Sequence, residues 1–163
     1  MKMSDAENTH VSPSEFTKKI LKQWERDTDL DETQLNSEAL KIPKLHSKYL
    51  NLLFYAKSML RTTEADTEKM MFLRYQWYEG KLTKEQIDEL KWKYDPFDGL
   101  LIKTKEQKSR YFDADEIMLQ YKSNIDKWKQ AIDAIEKILG QISWRHQIIK
   151  LAIDFQRLQN GLS

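Results

Sequence analysis

The chain has 163 residues, a formal net charge of +1, one-third charged side chains and no cysteine. That length fits one domain on the usual prior of about 100–200 residues. The absence of thiols excludes disulfide frameworks, zinc–cysteine sites and thiol catalysis, and the near-neutral total excludes a strongly basic nucleic-acid binder. Charge is nonetheless uneven, −4 over residues 1–40, +3 over 41–80, +2 over 81–112 and zero beyond, so a local basic surface in the middle stays open. No stretch approaches the roughly 18 apolar residues of a membrane span. Residues 1–7 lack the apolar run of a signal peptide, so the chain is expected to stay where it is made.

Glycine and proline are scarce enough to read as element boundaries. Ser12-Pro13 is an N-cap followed by proline at the first helical position, and Phe16, Ile20 and Trp24 follow at spacing four, which predicts a short amphipathic helix. An acidic linker covers 27–38. Pro43 opens a second pattern, Leu45, Tyr49, Leu52, Ala56, Met59, Met70, Leu73 and Trp77, closed by Gly80. Its middle, 61–69, carries almost no apolar side chain, so either the helix breaks there or it bridges solvent. Thr83 and Gln86 form a capping-box signature ahead of a helix from 84 to about 93. Asp95-Pro96-Phe97-Asp98-Gly99 is a turn. Residues 100–105 are the best strand candidate, with 109–112 as a hairpin partner.

From an Asp113 or Asp115 cap, the last helix places Met118, Tyr121, Ile125, Trp128, Ile132, Ile135, Leu139, Ile142, His146, Ile149 and Ile153 on one heptad seam. Two partners fit such a seam: the 43–77 helix of the same chain, or another copy. Self-association is the favoured expectation. The fold expected is mainly α, a long helical hairpin with a C-terminal coiled-coil-like oligomerisation helix, and a small β-hairpin near 100–112 as its one β element. Residues 1–40 form an acidic arm with a short helix, and 41–163 a single helical domain whose 113–160 helix assembles.

Candidate chemistry is sparse. Asp27, Asp29, Asp31 and Glu38 copy the start and end of a calcium-binding EF-hand loop. Glu32 stands where glycine must make the sharp turn, and Leu35 where an oxygen ligand is wanted, so a solvated acidic linker fits better. His10, His46 and His146 have no metal-ligand spacing, and neither a glycine-rich phosphate loop nor a nucleophile elbow occurs. No enzyme, no metal and no cofactor is expected. What remains is cations interleaved with rings: Lys69, Phe72, Arg74, Tyr75, Trp77, Tyr78 and Lys81, then Lys103, Lys105, Lys108 and Arg110 around Tyr111 and Phe112. Single-stranded nucleic acid is held by such sets, cations following phosphates and rings stacking on bases. From composition alone, rings in a core and lysines on a solvated face is the weightier reading.

The ordered set Leu35-Asn36-Ser37-Glu38-Ala39, Ser47-Lys48-Tyr49-Leu50-Asn51, Leu73-Arg74-Tyr75-Gln76-Trp77-Tyr78-Glu79-Gly80, the Asp-led opening of the last helix and its close from Ile148 to Phe155 resembles the UvsY family, recombination mediators of T-even-type phages. The resemblance covers Leu35 to Gly161. It implies a non-enzymatic oligomeric ring, a hexamer or heptamer, that binds single-stranded DNA. Such a ring helps a UvsX-type recombinase displace the phage single-stranded DNA-binding protein, in recombination, repair and replication, in the cytoplasm of the infected bacterial cell. The family's Lys-x-Arg pair falls on Phe72 and Arg74, a departure at the first position, and makes Arg74 the leading DNA contact. The family's C-terminal helix drives assembly. The alternative is a coiled-coil adaptor or virion scaffold that touches no nucleic acid.

Overall fold

The computed structural model describes residues 11–161, so the readings of residues 1–7 and of His10 lie outside the described residues. Among the described residues there are five helices and no strand: α1 Pro13–Asp27, α2 Leu35–Tyr78, α3 Lys84–Leu90, α4 Lys105–Asp113 and α5 Glu116–Gln159. They gather into two compact units. Of the described residues, one combines those up to Ser58 with those from Lys127 onward, and the other is Met59–Asp126.

In the first unit, α1 starts as its sequence dictates. The Ser12 hydroxyl accepts from the Glu15 N–H at 3.2 Å, and Pro13 occupies the first turn. Phe16 lies 5.2 Å from both the Tyr55 and Trp128 rings, and Trp24 meets Tyr49 edge-on at 5.5 Å. α5 buries Trp128, Ala131, Ile135, Ile138, Ile142, Arg145 and Ile149, alternating three and four residues apart. The seam is therefore filled within the protomer, one row away from the register expected. Trp128, Ile135, Ile142 and Ile149 are inside, but Ile125, Ile132, Leu139 and Ile153 are half-buried and His146 is exposed.

Arg145 is the one charged residue of this buried row. Its Nη1 donates to the Asp27 carbonyl at 2.5 Å and its Nη2 to the Asp29 carbonyl at 3.0 Å, while Glu38 Oε2 stands 3.6 Å away. Asp27 in turn accepts from Lys48 Nζ at 2.6 Å and from the Tyr49 hydroxyl at 2.9 Å. Burial, then this bond to Asp27, push the Tyr49 hydroxyl well above the ordinary phenol range. Asp31 accepts from the Thr33 N–H at 2.9 Å. Asp27 and Glu38 thus tie helices together, while Asp29, Asp31 and Glu32 are exposed.

α2 begins at Leu35 rather than at Pro43. Proline lacks an N–H and forfeits one bond, to the Ala39 carbonyl, but it is exposed and near the helix start, and the helix runs through it. The polar middle, 61–69, stays helical. There the Thr63 and Thr67 hydroxyls donate to the Met59 and Thr63 carbonyls at 2.8 and 2.6 Å.

In the second unit, α2 closes in a Schellman motif. Gly80 takes φ +68°, its N–H donates to the Trp77 carbonyl, and the Lys81 N–H donates to the Gln76 carbonyl. The Thr83–Gln86 capping box opens α3, which ends at Lys91 in the left-handed region, φ 55°. The 95–99 turn forms, with both Asp95 oxygens accepting from the Phe97 and Gly99 N–H groups at 2.8 and 2.6 Å. The hairpin near 100–112 does not form. Thr104 and Gln107 make a second capping box that starts α4, so 109–112 is helical and 100–103 irregular.

Candidate nucleic-acid interface

The run from Lys69 to Lys81 sits at the end of α2, and the helical period splits it between two faces. On the inward face Trp77 and Tyr78 are buried with Ile87, and Leu82, Trp92, Phe97 and Phe112 pack around them. Arg74 is buried with them. Its guanidinium lies 4.0 Å from the Trp77 ring centroid and 4.5 Å from that of Trp92. Its Nε donates to Asp115 Oδ2 at 2.9 Å, and Nη2 makes a second, very short bond to the same oxygen. The Tyr78 hydroxyl donates to that oxygen at 2.9 Å, and Asp115 Oδ1 accepts the Met118 N–H at 3.0 Å as the cap of α5. Burial alone would raise the Asp115 carboxyl; the bonds from Arg74, Met118 and Tyr78 outweigh it and hold the pKa below the ordinary 3.8. Burial, then the bond to Asp115, push Tyr78 up to about 12.

Arg74, expected as the leading DNA contact, is therefore an internal anchor whose side chain is 8 % exposed. Trp77 and Tyr78 are core, as the plain compositional reading had it. Asp115 was foreseen as a helix cap but not as the partner of Arg74.

On the outward flank, Lys69, Phe72 and Tyr75 follow at three-residue steps, and the two rings are 63 % and 53 % exposed. Tyr75 borders a cleft of about 420 Å³ with Tyr78, Phe112, Lys105, Lys108, Ser109 and Glu79. Lys81 Nζ lies 5.9 Å from the Tyr75 ring centroid, and Phe112 meets Tyr75 edge-on at 6.4 Å. Lys108 Nζ stands 3.8 Å from Glu79, so one cation of the cleft is partly neutralised. The fold thus brings together Tyr75, Lys81, Lys105 and Lys108. Lys69 pairs weakly with Asp66 at 3.5 Å, and Lys103 and Arg110 are exposed outside the cleft lining.

The first unit carries a feature that sequence reading missed. Trp144, Ile148, Leu151, Phe155 and Leu158 are each more than half exposed, and they follow at four- and three-residue steps along α5. They form a second heptad face beside the buried one. Its signal was present in the same helix, masked by the longer apolar row next to it.

Among the described residues these features define a helical protein with an exposed cation–ring cleft and an exposed apolar helix face. Over residues 23–162 the chain matches the family described as the recombination, repair and ssDNA binding protein UvsY, and it belongs to the UvsY family. Its fold is similar to that of the recombination mediator protein UvsY of bacteriophage T4. One crystal form, lattice type II, superposes with a TM-score of 0.70 at 22 % identity, covering 88 % of this chain and 97 % of that one. Lattice types IV and I give 0.68 and 0.67 at 20 % identity, covering 87 % and 86 % of this chain and 97 % and 98 % of the other. Among curated proteins none matches by sequence. Among the described residues no helix is long and apolar enough to cross a membrane.

Proposed function

We propose that this protein is a non-enzymatic recombination mediator that binds single-stranded DNA as a ring of identical copies and promotes loading of a phage recombinase onto strands covered by single-stranded DNA-binding protein. The carrying observation is the cleft beside Tyr75, where an exposed ring stands among Lys81, Lys105 and Lys108. A base stacks on Tyr75, at about 1–3 kcal/mol, while the ammonium groups follow the phosphates. Phe72, next along the flank, offers a second stacking surface, with Lys69, Lys103 and Arg110 as outlying phosphate contacts. Every base has a face that can stack on Tyr75, so binding is sequence-tolerant.

Assembly runs through α5. With Trp128, Ile135, Ile142 and Ile149 already filled from within, the copies meet through the Trp144–Leu158 face and the half-buried row beside it, Ile125, Ile132, Leu139 and Ile153. A ring repeats one weak site several times and bends the strand along its surface. Bending strips the covering protein and presents the strand to the recombinase.

The test is anisotropy of labelled oligo-dT at two salt concentrations, with light scattering on the same sample. A particle several times the mass of one chain, with affinity that collapses as salt rises, supports the reading. An assembly indifferent to the strand overturns it and leaves a coiled-coil adaptor or scaffold.

A further inference from the structure

We propose that the first unit carries a second anion site, which grips a phosphodiester of the strand without touching its bases. This inference rests on the single-strand reading above. The site is a cavity of about 410 Å³ between the end of α1, the first turns of α2 and Arg145 of α5. From sequence this region reads as acidic, but two of the three carboxylates that line the cavity, Asp27 and Glu38, are held by fixed partners. Asp27 holds Lys48 and Tyr49, and Glu38 lies 2.5 Å from Lys41 and 3.6 Å from Arg145. Arg145 also binds the Asp27 and Asp29 carbonyls, which offsets the negative end of α1.

Arg26 and Lys44 line the cavity exposed and in no ion pair among the described residues, against the remaining carboxylate of Asp29. Lys41, Lys44 and Lys48 lie on one side of α2, at i, i+3 and i+7. Lys41 and Lys48 each give their carboxylate one of three ammonium donors and keep two for an anion. The remaining wall is Ile42 and Leu45, with no ring on which a base could stack. Cations without rings suit the backbone of a strand and leave the bases unread.

The experiment compares two probes of equal length, labelled oligo-dT and an abasic deoxyribose-phosphate oligomer, on the full chain. Arg26→Ala with Lys44→Ala is the test variant; both side chains are exposed, so the fold should survive, and circular dichroism checks this. The variant should lose affinity for both probes by the same factor. Its salt slope should fall by about 1.4 for each protomer the strand touches, at about 0.7 per phosphate. Tyr75→Ala, by contrast, should weaken oligo-dT and leave the abasic probe unchanged. Unaltered affinity and slope in the double variant, while Tyr75→Ala still weakens oligo-dT, would overturn this site alone. Weaker binding of a polyglutamate peptide with both DNA probes unaffected would overturn it in favour of an acidic-peptide site. A wild-type chain that binds neither DNA probe removes the proposed function and this site together.

Discussion

Replacing Arg74 with alanine separates an anchor from a DNA contact. Asp115 is 1 % exposed and its partner 8 %, so the variant leaves a buried carboxylate without its main counter-charge. Breaking a buried pair from one side costs about 3–5 kcal/mol. The guanidinium also leaves the slot between Trp77 and Trp92, losing two cation–ring contacts. For a unit the size of Met59–Asp126, about 4–8 °C of melting temperature goes with each kcal/mol, so the second unit should melt at least about 12 °C earlier. Thermal melts followed by tryptophan fluorescence report this through Trp77 and Trp92, with circular dichroism at 222 nm alongside. Arg74→Lys keeps the charge but loses the forked donor and the planar stacking, and should fall between wild type and alanine. DNA affinity drops in both variants as a consequence of the unfolding. A melt within about 2 °C of wild type, combined with weakened oligo-dT binding, would refute the anchor and return Arg74 to the DNA surface.

The Asp115 carboxyl sits below its ordinary value, so its stabilisation is complete above about pH 4 and disappears as pH falls through the depressed folded value. Urea titrations should show wild type losing resistance in acid, while Asp115→Asn, weaker from the start at pH 7, shows no corresponding fall. Tyr75→Ala should weaken oligo-dT about 5- to 150-fold, the equivalent of about 1–3 kcal/mol of stacking, with an unchanged melt; Lys105→Ala with Lys108→Ala should also flatten the salt dependence. Ile135 is fully buried within the protomer, so Ile135→Glu should abolish the folded chain, whereas Leu151→Glu should leave a folded protomer of lower mass by light scattering. Thr104→Ala removes the cap of α4 and should cost about 1 kcal/mol in denaturant stability.

Local signals were legible where chain neighbours decide the outcome. Ser12-Pro13, the Thr83–Gln86 box, the 95–99 turn and Gly80 each act within a few residues, and each appears where its chemistry places it. The same box at Thr104 was overlooked because the apolar residues 100–102 suggested a strand. Leu100 and Leu101 are exposed and Ile102 half-buried, and among the described residues there is no neighbouring strand of the kind such a run would need. Long-range facts were not legible. Spacing shows that Arg74, Trp77 and Tyr78 share a face, but whether that face meets water or Asp115, 41 residues on, is a tertiary matter. The burial of Arg145 likewise goes with carbonyl partners at Asp27 and Asp29, which no periodicity within α5 encodes. Of the candidate set, spacing put Tyr75, Lys81, Lys105 and Lys108 together with Arg74, but it could not tell the exposed residues from an arginine buried against Asp115.

Moving the centre from Arg74 to Tyr75 changes how the proposed mediator must work. With Arg74 neutralised internally and Lys108 partly offset by Glu79, the cleft presents Lys105, with Lys81 beside the Tyr75 ring, as cations in no ion pair among the described residues. At about 0.7 counterions released per phosphate, so few contacts hold a strand weakly at physiological salt. Affinity has to come from repetition: once one protomer is engaged, the next cleft meets the strand at an effective concentration in the millimolar range, and avidity gains of about 10²–10⁴ follow without any new contact. Binding and assembly are then coupled by mass action. Leu151 lies on the exposed α5 face, outside the cleft lining. Leu151→Glu should nevertheless cost more oligo-dT affinity than either lysine of the cleft. Under the proposed function, weak individual sites would also let a strand be handed over stepwise, each protomer releasing its few contacts to the recombinase while its neighbours hold on. A single strongly basic site could not do this, and the nearly neutral total charge of the chain is consistent with that requirement.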